Sequence, residues 1–68
     1  MRLIVQVDRV LTEIVANPRL FALVHRDVRR ALVRPFPYAI FFRELESVVR
    51  VIAIVHLYRD PATWQRRH

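Results

Sequence analysis

His56, Tyr58 and Arg59 follow the apolar run Val51 to Val55, within four positions of one another. These residue types suit phosphodiester chemistry. An arginine can stabilise the charge of a scissile phosphate, and a histidine ring can move protons near neutral pH. If the preceding stretch is a strand, His56 and Tyr58 share a face, because residues two apart point the same way. A plainer assignment competes with this one. His56 closes the strand, Tyr58 packs, and Arg59 pairs with the adjacent Asp60. No second histidine or glutamate is placed beside the trio, and Glu44 falls at the far end of the predicted hairpin. A complete acid–base pair is therefore not visible.

Binding chemistry has more material. Arg26, Arg29, Arg30 and Arg34 form the densest basic cluster, interrupted by Asp27. Together with Arg59, Arg66 and Arg67, the residues Arg29, Arg30 and Arg34 are candidate contacts for phosphate or for an acidic partner. Arg29 and Arg30 point to opposite faces of a regular strand, so one patch cannot use both equally. Trp64 can stack on a base, but a tryptophan in a polar tail more often folds back to pin that tail. Phe36, Pro37 and Tyr38 mark a strand entrance and close one end of the core.

These residues need elements to position them. Apolar side chains at Leu3, Ile4, Val7, Leu11, Ile14 and Val15 predict a helix over Leu3 to Ala16, ended by Asn17-Pro18. Val5 and Val10 interrupt that face, and Gln6 falls on its polar side. Arg19 to Asp27 reads as a loop. Val28 to Arg34, Tyr38 to Leu45 and Val48 to Leu57 read as strands, with Pro35-Phe36-Pro37 as a break between the first two. Glu46-Ser47 makes a tight hairpin. With no glycine to supply a positive φ, a type I turn with a bulge is expected. The predicted architecture is α+β: an N-terminal helix, a three-stranded antiparallel meander, and a short basic tail or helical turn. One helix covers one sheet face. The second face is expected to lie bare, as an apolar patch that marks a partner site.

Size and composition narrow the classes. The chain has 68 residues, with twelve arginines, six acidic residues and a formal net charge of +6. That is room for one domain, over residues 1–68, and too little for an enzyme with a deep pocket. There is no cysteine, hence no disulfide and no thiolate metal site. No metal and no cofactor is expected. The longest uncharged runs, Pro35 to Phe42 and Val51 to Tyr58, are far shorter than the ~20 residues of a spanning helix. A soluble, cytoplasmic basic protein with acidic partners is the expectation.

The segment from Val28 to Arg43, with its arginine-rich strand, Phe36-Pro37-Tyr38 entrance and aromatic strand, resembles the core of the RelE/ParE toxin superfamily. The segment from Val51 to Arg67 is similar to that family's last strand and tail, through His56, Arg59-Asp60-Pro61 and Trp64. The resemblance covers nearly the whole chain, with the family's first strand and first helix lacking. It implies a toxin of a type II toxin–antitoxin module, the class linked to plasmid stabilisation, held inactive by a cognate antitoxin. ParE-like members inhibit DNA gyrase by binding. RelE-like members cleave mRNA on the ribosome, a role for which His56, Tyr58 and Arg59 are the candidates. An inactive toxin fragment is the third alternative. An open sheet edge also suggests a homodimer.

Overall fold

The computed structural model describes residues 2–59. Helix α1 spans Leu3–Ala16, as the periodicity predicts. Asn17 leaves helical geometry ahead of Pro18, and a 3₁₀ turn follows over Pro18–Leu20. The sheet has four strands where three were expected: β1 Ala22–His25, β2 Val28–Leu32, β3 Tyr38–Leu45 and β4 Val48–His56. All neighbours are antiparallel, in the order β1-β2-β3-β4. The extra strand lies in the segment read as a loop. Four residues are too few to show period-two alternation, and a bulge at Val24 breaks what pattern there is. The predicted tail or helical turn, with Trp64, Arg66 and Arg67, lies outside the described residues.

Four of the six expected face positions, Leu3, Val7, Leu11 and Ile14, turn toward the core, but the stripe is rotated from the one expected. Gln6, Val10 and Ile14, spaced four apart, are buried, while Ile4 is 81% and Val15 70% exposed. Val10 and Ile14 pack with Ala31, Val33, Ile40 and Phe42, and with the flanking Leu3, Val7 and Leu11. Phe21 adds an edge-to-face contact to Phe42 at 5.8 Å. The stripe is therefore rotated toward Gln6. One polar side chain in the seam is tolerated because, among the described residues, no buried side-chain nitrogen or oxygen is left without a hydrogen-bond partner.

The second sheet face also differs from expectation. Val28, Ala39, Phe41 and Val55 are all buried there, packed against Val24, Leu32, Ile52, Ala53 and Leu57. It is a second small core and not a bare apolar patch. Both edge strands feed it through bulges. Val24 is the extra residue of β1, and Ile52 the extra residue of β4. The bulge at Ile52 also reassigns the faces of β4. Its partners place Val49, Val51, Ile54 and His56 on the face shared by Ile40 and Phe42, instead of the unbroken alternation of a regular strand.

The β3–β4 turn corrects a further expectation. Glu46 and Ser47 both take positive φ, 51° and 68°, as a type I′ turn requires. A two-residue connection between long twisted strands favours the primed turn, and that preference outweighs the cost of two residues with a Cβ.

Candidate sheet-end cleft

The β2–β3 connection is built without two of its backbone donors, because Pro35 and Pro37 have no N–H. What remains is used. The Val33 N–H donates to Tyr38 O at 2.9 Å, the Phe36 N–H to Val33 O at 2.9 Å, and the Leu57 N–H to Pro37 O at 2.9 Å. The last bond ties the end of β4 to the entrance of β3. The Arg34–Pro35 peptide is cis. Between this connection and the end of β4 lies a cleft of about 250 Å³, lined by Leu32, Arg34, Pro35, Phe36, Pro37, Leu57 and Tyr58. Among the described residues its lining has one cation, an exposed phenol ring and no carboxylate.

Three rings run up to this cleft. Tyr38 and His56 are register partners, with ring centroids 5.0 Å apart and planes at 82°. His56 and Tyr58 follow at 5.8 Å and 71°. The edge of one ring thus meets the face of the next, the arrangement aromatic quadrupoles prefer. The Tyr58 N–H donates to His56 Nδ1 at 3.2 Å. With Nδ1 accepting, the proton of the neutral imidazole sits on Nε2. His56 in that state offers a donor outward and no free lone pair, so it is not set up as a general base. The Arg59 N–H donates to His56 O at 3.2 Å and its side chain is exposed.

The other candidate residues are dispersed. Arg29 is half-buried and gives its guanidinium to Phe21 O at 2.6 Å, a contact that ties β2 to the start of β1. Arg30 is exposed on the opposite face, opposite Phe41 in register. Arg34 stands at the cleft. The basic cluster in the sequence is therefore not one patch in space. Phe36, Pro37 and Tyr38 come together with His56 and Tyr58, whereas Arg66, Arg67 and Trp64 lie outside the described residues.

Two ion pairs absorb the charges at the opposite end of β3. Arg43 makes two contacts to Asp27, at 2.6 and 3.2 Å, and Arg19 reaches Glu44 at 3.4 Å. Hydrogen bonding to Asp27, and then its charge, hold the Arg43 pKa above its ordinary value. Sequence reasoning found neither pair, since the partners are 16 and 25 positions apart. It also passed over Pro35 and Leu57 as cleft residues. The signal for both was present, because the Pro-Phe-Pro break and the end of the best strand meet wherever β3 pairs with β4.

Among the described residues no group of histidines and carboxylates is arranged to hold a metal ion, and no helix is long and apolar enough to cross a membrane. Comparison with protein-family models, with curated proteins and with solved structures gives no match to this chain.

Proposed function

We propose that the chain is the toxin component of a type II toxin–antitoxin module, ParE-like, acting by binding a cellular target such as DNA gyrase. One observation carries this reading. The two segments that resemble the superfamily, Phe36 to Tyr38 and His56 to Arg59, are more than a dozen residues apart in sequence yet converge on one cleft through the Tyr38–His56 pairing. A helix packed on an antiparallel sheet is consistent with the fold that resemblance implies. Binding is preferred to catalysis because His56 Nδ1 is committed to a backbone N–H and the described residues lining the cleft include no carboxylate.

The second reading is a RelE-like mRNA interferase using His56, Tyr58 and Arg59. The exposed Tyr58 ring, which lines the cleft with Arg34, favours it, since an exposed aromatic face near a cation suits single-stranded RNA. Two assays on the purified chain separate the readings. Inhibition of gyrase supercoiling without RNA cleavage supports the first. Site-specific, ribosome-dependent cleavage that is lost in Arg59→Ala supports the second. Inactivity in both, with a cooperative unfolding transition intact, removes the toxin reading.

A further inference from the structure

Among the described residues the sheet has two edges, and they are unlike. β1 is four residues long and interrupted by its bulge, which blunts it as a template. β4 is nine residues long and carries a single arginine, Arg50, in an otherwise apolar run that ends at His56. The Leu57 N–H turns inward to Pro37 O. Alternation then turns the His56 and Ile54 N–H groups outward, away from β3. Val48 is 63% and Ile54 49% exposed, and Val51 is exposed between them. β4 therefore presents main-chain donors and apolar side chains along the same edge.

Charge says what kind of strand would fit. Arg50 stands directly opposite Arg43 in the ladder, a like-charge pairing that costs stability. Arg43 is satisfied by Asp27. The ion pairs of the described residues leave Arg50 without a carboxylate. A second copy of this chain would bring another +6 of net charge and an identical β4 with no acidic residue. An acidic partner would instead neutralise Arg50 and lower the repulsion along the hairpin.

We propose that β4 is a docking edge for an extended, acidic–apolar segment of another protein, which adds to the sheet as a fifth strand with a carboxylate at Arg50. Main-chain bonds hold the segment, and alternate side chains select it. The inference concerns the strand edge and does not rest on the toxin reading.

The test uses the full chain and a fluorescent peptide of β4's length that alternates valine and glutamate. Saturable binding by anisotropy is expected, with amide shifts at Ile54 and His56 in NMR spectra. Arg50→Glu should weaken binding by about tenfold or more, as loss of a charge-assisted contact does. The same peptide N-methylated at alternate positions should not bind, a comparison that leaves the protein untouched. Equal binding of the N-methylated peptide, or of one with lysine for glutamate, overturns the proposal. So does sedimentation showing a dimer that Ile54→Lys dissolves, because a second copy would then own the edge. Peptide binding by a chain inactive on gyrase and ribosomes leaves this inference standing and the toxin reading fallen.

Discussion

At the residue scale the informative atom is His56 Nδ1. His56 and Tyr58 do lie together, but not as neighbours on one strand face: β4 ends at His56, and the turn over Leu57 to Arg59 brings the Tyr58 ring against it. Sequence could not reveal that the lone pair is occupied by the Tyr58 N–H, since that depends on how the chain turns after β4. Long-range ¹H–¹⁵N spectra at pH 8 should show the proton on Nε2 and Nδ1 unprotonated; the opposite tautomer would return His56 to candidacy as a base. The Arg43–Asp27 pair also has a defined pH behaviour. A cation whose pKa is raised on folding contributes fully below its unfolded value, and that contribution fades only as pH climbs through the folded one. For an arginine this window is strongly alkaline, so Arg43 should add no slope to stability between about pH 5 and 9. A thermal melt series of Arg43→Gln against the parent chain checks it: the gap between the two should stay constant over that range wherever Asp27 remains ionised.

At the element scale the long elements were legible and the short or irregular ones were not. α1 and β3 match their predicted bounds because each spans enough residues for its period to dominate. β1 was missed because four residues carry too little pattern. The stripe of α1 was misjudged for another reason. Its apolar residues wrap most of the circumference, so the sheet's geometry chooses which of them is buried. Val10→Ala should therefore destabilise by about 1–3 kcal/mol as a core truncation. Val15→Ala should stay within about 0.5 kcal/mol of the parent in the same denaturant titration. The β3–β4 turn gives a prediction of opposite sign. Ser47 holds a positive φ that glycine adopts at no steric cost, so Ser47→Gly should stabilise the chain by about 0.5–1 kcal/mol, read as a higher Tm.

At the scale of the whole molecule, a thin sheet has been given two small cores, one under the helix and one on the opposite face. With one helix to cover one face, the second was expected to lie bare; instead the sheet's own side chains pack over it, Val24 and Ile52 at the two bulges among them. The partner question moves accordingly from the flat of the sheet to its rim. The cleft at the sheet's end was more legible: its two halves were both picked out as motifs, and only their meeting required the fold. The bulge at Ile52 carries one more consequence. β4 holds one residue more than its partner needs, since Ala53 already faces Phe41 and Val51 already faces Phe42. Removing the Ile52 codon should leave every rung in place and return a folded, slightly weaker protein by circular dichroism. A strand with such slack can gain or lose length in evolution without turning inside out.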